Sequence, residues 1–172
     1  GEASLIIGNE PVGDGHLFHI IARAQTTGVV GAMVTIKDVY ESYVDITSGY
    51  PVKSVRNIQE HKYTSYNEVL FFREQGFLRS LNTGDHPAPN DIHDILSAFY
   101  FARRYLFSNQ IKVNDTISMS TFFDEQFFPI KIKFKEIETV NTKFGKVRCL
   151  KFVPLLKDNE VFKEEEQLQI WV

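Results

Sequence analysis

The chain has 172 residues, with 19 Lys and Arg against 22 Asp and Glu and a formal net charge of −3. That length fits a single domain, 1–172, with one substantial core. The weakly acidic balance gives no support for nucleic acid as a partner, and the lone Cys149 excludes an internal disulfide or a Cys-based zinc site. No apolar run reaches the ~18 residues of a transmembrane segment. Gly1 rather than Met stands first, and no signal-peptide pattern follows it. The expectation is a processed or engineered chain, with removal of a targeting segment as one route.

Glu2 to Ile7 reads as a short strand. Asn9 to Gly15 is dense in chain breakers and predicts a turn. His16 to Gln25 alternates, with Phe18, Ile20, Ala22 and Ala24 on one face and His19, Arg23 and Gln25 on the other, as a strand does. Gly28 to Lys37 fits either a glycine-kinked strand or a short helical turn. Asp38 to Ile46 predicts a strand and Thr47-Ser48-Gly49 a turn. A further strand follows, with Val52, Ser54, Arg56 and Ile58 on one face. Tyr63 to Arg73 and Phe77 to Leu81 read as strands, and Asn82 to Asn90 as a loop by composition.

Pro89 to Ser108 carries the one long helical signal. Ile92, Ile95, Leu96, Phe99, Ala102 and Leu106 recur at helical spacing, predicting a helix at about residues 91–107. Asp91 suits the N-cap, and Asp94, three residues on, can answer it. Tyr100, Phe101, Tyr105 and Phe107 lie off the main stripe, so the apolar surface is wider than one packing face requires. Either the helix is nearly surrounded or part of it faces a cavity.

Thr116 to Phe123 and Phe127 to Ile137 flank the hairpin-like break Asp124-Glu125-Gln126. Asn141 to Gly145 predicts a turn, Lys146 to Leu155 a returning strand, Lys157 to Glu160 another turn, and Gln167 to Val172 a last strand. Hairpin spacing argues antiparallel pairing. The predicted fold is therefore mainly β, a strongly curved antiparallel sheet with the helix packed in its concave face, because that arrangement buries both apolar surfaces. Lys131, Lys133 and Lys135 alternate with Ile130, Ile132 and Phe134, which fits a polar outer and an apolar inner face.

Several groups invite a chemical reading. Asp85, His86, Asp91, His93 and Asp94 fall in one short stretch and offer oxygen and imidazole ligands for a divalent metal. Asp85, His86 and His93 are the metal candidates, although helix capping and a polar loop account for the same residues, and no His-Glu-x-x-His pattern occurs. Cys149 could be a nucleophile paired with a histidine, but its strand context suits a small packed residue. Glu164, Glu165 and Glu166 read as a solvated edge. The lysine stripe is either an outer sheet face or a contact for anionic headgroups. The aromatic set carries the most weight. Phe99, Tyr100, Phe101, Phe122 and Phe127, with Phe123 and Phe128 near them, could line an apolar cavity between helix and sheet; a filled core is the alternative. No cofactor-binding pattern is present, and no cofactor is expected.

Asp38 to Asp45 (DVYESYVD), Asp94 to Arg103 (DILSAFYFAR), Thr142 to Pro154 (TKFGKVRCLKFVP) and Ile170 to Val172 (IWV) together resemble one family. It is the exported "domain of unknown function 3108" family of Gram-negative envelope proteins. The resemblance implies a half-open barrel with an internal helix, similar to the Lol lipoprotein carriers, and a place in the periplasm or at the outer membrane. It brings no catalytic residues. Family members carry strand sequence before the position of Gly1 and after that of Val172, so the chain is expected to lack strands at both ends.

The leading expectation is a non-enzymatic envelope protein that binds a lipid or lipoprotein acyl chain between helix and sheet. One alternative is an assembly module that binds another envelope protein, or itself, through exposed strand edges. The other is a metal-dependent hydrolase using the Asp85–Asp94 loop.

Overall fold

The computed structural model describes residues 1–12, 15–28, 35–108, 111–155 and 169–171. The chain is mainly β with one long helix. Its first sheet runs in chain order: β1 (Glu2–Val12), β2 (Gly15–Gln25), β3 (Lys37–Asp45), β4 (Pro51–Glu60), β5 (Tyr63–Phe72), β6 (Phe77–Ser80) and β7 (Gly84–Pro87), each antiparallel to the next. After β8 (Ile92–His93) and α1 (Ile95–Ser108) come β9 (Thr116–Phe123), β10 (Gln126–Thr142), β11 (Gly145–Pro154) and β12 (Ile170–Trp171). These form a second sheet in the order β12-β11-β10-β9-β8.

Two sheets thus stand where the sequence predicted one, and among the described residues neither closes on itself. No ladder joins β7 to β8, because the chain turns at Pro89, whose carbonyl accepts from Ile92 N–H at 3.2 Å, before entering the second sheet. Pairing is not antiparallel throughout. β8 lies parallel to β9, with Ile92 opposite Ser120 and His93 opposite Thr121.

Other boundaries shift for local reasons. The breaker-rich Asn9 to Val12 is strand, paired with Gly15 to Phe18. Pro11 is tolerated there because β1 is an edge strand. The predicted loop from Asn82 contains β7, another edge, where Asp85 is exposed, His86 lies beside the Phe122 and Phe127 rings, and Gly84 takes φ 82 at the hairpin. A bulge between Tyr43 and Val44 pairs Lys53 with Tyr43 but Pro51 with Val44. Pro51 therefore takes the inward place expected of Val52, which is 38% exposed. The readings of Gly28 to Lys37, Lys157 to Glu160, Glu164 to Glu166 and Gln167 to Val172 fall wholly or in large part outside the described residues, as do the side chains of Leu106 and Phe107.

The helix packs on both sheets, which accounts for its wide apolar surface. Leu96 joins Ile20 and Val44 of the first sheet. Ala98 and Ala102 meet Ile117, Met119, Ile132, Phe134 and Phe152 of the second. The two alanines let the backbone approach closely, so the larger strand side chains fill the space. A third cluster, Val69, Phe71, Leu78, Ile92 and Phe122, closes the region between β5, β6 and β9 without the helix. Burying each such Val, Leu, Ile or Phe side chain stabilises the fold by about 1.5–3 kcal/mol. Ile132 and Phe134 are buried while Lys131 and Lys135 are exposed, as the alternation predicts.

The β9–β10 hairpin tip clamps the sheets together. Asp124 and Glu125 take φ 50 and 61, positive values that suit Asn-Gly in a two-residue turn better than these residues. Their side chains reach across to the first sheet. Asp124 pairs with Arg56. The Glu125 carboxylate accepts from Asn67, from Ser80 at 3.1 Å and from Thr83. Asn67 and Ser80 are buried and also hydrogen-bond each other, at 3.1 and 3.2 Å, so the carboxylate completes a buried polar cluster.

Candidate functional site

The helix starts where buried polar groups fix it. Asp94, not Asp91, is the N-cap: its Oδ1 accepts from Leu96 N–H at 2.8 Å and Ser97 N–H at 3.1 Å. Asp94 N–H donates back to Ser97 Oγ at 3.0 Å, so Ser97 completes a reciprocal cap. Ile92 and His93, which the helical spacing had included, are extended and paired with β9 instead. Ser42 Oγ–H on β3 donates to Asp94 Oδ2 at 2.6 Å, tying the helix start to the first sheet. Burial pushes the Asp94 carboxyl upward, and these donors oppose that push.

His93, 1% exposed, lies against two rings. Tyr50 stacks on it at 4.8 Å and Phe101 packs at 4.7 Å between centroids. Arg73 covers the Tyr50 ring at 3.5 Å and donates to the Asn90 carbonyl at 2.5 Å. Burial, and then the charge of Arg73, lower His93 to about 4. The imidazole is therefore neutral at pH 7, with Nδ1 3.3 Å from Ser97 Oγ.

Farther along α1, the helix and the first sheet leave a cleft of about 400 Å³ between them. Ile7 of β1, Phe18 and Ile20 of β2, and Val44 and Ile46 at the end of β3 form the sheet side. Tyr100 and Phe101 form the helix side, and Gly49, Arg103 and Arg104 complete the lining. Phe18 is 40% exposed, which fits an aromatic on the wall of an open cleft. Both arginines are exposed, so they stand where the cleft meets solvent. Arg104 donates from both Nη atoms to the Thr47 carbonyl at 3.3 Å. Gly49 takes φ 76, which favours glycine, and a Cβ there would lie 2.8 Å from Arg104 Nη1 and displace that guanidinium. Burial raises the Tyr100 phenol, while Arg103 acts to lower it.

Of the five aromatic candidates, Tyr100 and Phe101 lie on this cleft. Phe99 is 38% exposed and is not among the lining residues. Phe122, 3% exposed, packs with Leu78 and Ile92 and borders a smaller pocket of about 40 Å³ beside Arg56, Asp94 and Leu96. Phe127 is 45% exposed and rests on Phe122, with centroids 4.9 Å apart. The helix wall was legible from its aromatic excess. The sheet wall was not, because nothing local says which strands will face the helix. Phe18 and Ile20 carried the inward alternation that could have nominated them.

The metal candidates separate. Arg79 donates to Asp85 at 2.5 and 2.9 Å, holding that carboxyl below the usual range. His86 Nε2 is 2.7 Å from Thr83 Oγ1, and its ring lies 5.4 Å from Phe122. His93 is in the aromatic stack. Among the described residues, no three His, Cys, Asp or Glu side chains are grouped to hold a metal ion. Cys149 is half-buried on β11, opposite Glu138. Among the described residues, no helix is long and apolar enough to cross a membrane.

No curated protein matches the sequence. A solved structure similar to the chain is that of a DUF1089 family protein from Pseudomonas aeruginosa, at 9% identity and a TM-score of 0.48, covering 100% of this chain and 85% of that one. The model of the family described as protein of unknown function DUF3108 matches residues 1–172, and the chain belongs to that family.

Proposed function

We propose that the protein is a binding protein, not an enzyme, that holds an apolar chain of a lipid or lipoprotein between α1 and the first sheet. The observation that carries this reading is the cleft of about 400 Å³ walled by Phe18, Ile20, Val44, Ile46, Tyr100 and Phe101. Close-packed interiors leave few voids larger than a water molecule, whereas ligand sites span about 300–1,000 Å³. Burying an acyl chain contributes about 0.8 kcal/mol per methylene, so the chain itself asks for no polar partner. The finer architecture belongs to the same reading: a half-open, strongly curved sheet around the helix, similar to the Lol carriers, working in the periplasm or at the outer membrane. Its support is that α1 contacts strands of both sheets and that, among the described residues, both sheets end in unpaired edges.

Native mass spectrometry of the purified protein, with solvent extraction and lipid analysis, tests the reading. A stoichiometric adduct of lipid mass is expected. A bare chain mass, unchanged after incubation with envelope lipids, would refute it.

A second reading has one observation in its favour. Edge strand β1 exposes Leu5, Ile6 and Ile7 at 56%, 48% and 46%. An apolar open edge of this kind suits strand addition to another chain or a second copy. Light scattering after size exclusion would show an oligomer; a strict monomer across concentrations counts against it.

A further inference from the structure

The cleft is apolar along its sheet wall, yet its helix wall ends in two guanidinium groups. Tyr100, Arg103 and Arg104 sit three and four residues apart and so share one side of α1. Arg103 makes no ion pair among the described residues. Tyr100 lines the same cleft, and its phenol, raised further by burial, is protonated at neutral pH and able to donate. Asp45, which precedes the lining residue Ile46, accepts from Ser48 N–H at 2.7 Å. The C-terminal half of a helix disfavours an anion, but only with about half a unit charge, against the full charge of the Arg103 guanidinium.

We propose, building on the binding reading above, that the ligand is an anionic amphiphile: one apolar chain in the cleft, with a terminal carboxylate or phosphate held by Arg103 and the Tyr100 hydroxyl. The guanidinium fork supplies paired donors to such oxygens, and the phenol supplies one more. A neutral chain of the same length fills the apolar walls but leaves these donors in water. The charge therefore selects among chains that the cleft would accept equally by shape.

Isothermal titration of the whole protein tests this with dodecanoate, dodecyl phosphate and dodecanol below their micellar concentrations, and with inorganic phosphate alone. Both anionic probes are expected to bind at least about tenfold more tightly than dodecanol, the difference of roughly one charge-assisted hydrogen bond. Inorganic phosphate alone is expected not to compete. Arg103→Glu, a change at an exposed helix position, should remove the preference while dodecanol binding persists, and Tyr100→Phe should weaken both anions by a smaller factor. Equal binding of dodecanol and dodecanoate, or an unchanged preference in Arg103→Glu, overturns the headgroup assignment alone. Competition by inorganic phosphate as strong as by dodecyl phosphate overturns the role given to the chain. Failure of every chain-bearing probe to bind overturns this inference and the underlying binding reading together.

Discussion

His93 gives the fold an acid-sensitive core. Its imidazole is 1% exposed, packed between Tyr50 and Phe101, and lowered to about 4 by burial and by Arg73. In the unfolded chain it titrates near 6.5. Above about pH 6.5 the ring is neutral in both states and contributes no pH dependence. As pH falls from about 6.5 to 4, the unfolded chain takes up a proton that the folded chain refuses, so stability falls by about 1.4 kcal/mol per unit. Below about pH 4 both states are protonated and the loss levels off near 3 kcal/mol. Asp94, raised by burial, acts in the opposite sense, since its folded form binds a proton more readily than the unfolded chain. A variant that keeps Asp94 and removes only the imidazole isolates the effect. His93→Phe retains a ring in the stack and gives up the contact with Ser97, at a pH-independent cost of about 1 kcal/mol. Urea unfolding followed by circular dichroism at pH 7.5, 6, 5 and 4 should show the parent losing roughly 3 kcal/mol more than His93→Phe across the range. Parallel curves for the two proteins, or an NMR titration placing His93 near 6.5 in the folded state, would refute the reasoning.

The hairpin tip should separate strain from docking. Asp124→Gly relieves about 1 kcal/mol of positive-φ strain and loses a mostly exposed ion pair worth about 0–1 kcal/mol, so its urea midpoint should stay near the parent's. Glu125→Gly relieves similar strain but leaves Asn67 and Ser80 without their carboxylate, and should be destabilised by about 1–2 kcal/mol net. Gly49→Ala forces φ 76 on a Cβ that meets Arg104 Nη1 at 2.8 Å; it should cost about 1–2 kcal/mol and displace Arg104 from the Thr47 carbonyl, seen as lost stability and a moved side chain in a crystal structure. Phe152→Ala removes a fully buried ring 5.4 Å from Phe134 and should cost about 3–5 kcal/mol, measured by thermal and urea unfolding.

Much of the strand content was legible because a strand's period of two is local. Phe18 to Ala24, Ile130 to Phe134 and the stretch from Asp38 to Asp45 announced their inward and outward faces before any partner was known. The helix was legible for the same reason, and its surplus of aromatics marked either a nearly surrounded helix or one facing a cavity. Its start was not. Ile92 keeps helical spacing with Ile95 and Leu96, yet it is extended, because β9 offers its backbone a ladder and Leu78 and Phe122 offer its side chain a pocket. Two sites could cap the helix, and only the tertiary fold brings Ser42 to Asp94 to choose between them.

The sequence by itself determined the mainly β class of the fold, the turns at Gly49 and Gly145, and a helix with more apolar surface than one face needs, since each rests on neighbours a few residues apart. The tertiary structure alone decided the division into two sheets, the stack around His93, the docking of Glu125 on Asn67 and Ser80, and the cleft. Those features join residues tens of positions apart, from Ile7 to Arg104. Contacts at that separation depend on which strand edges pair and which faces meet, and no local period records that choice.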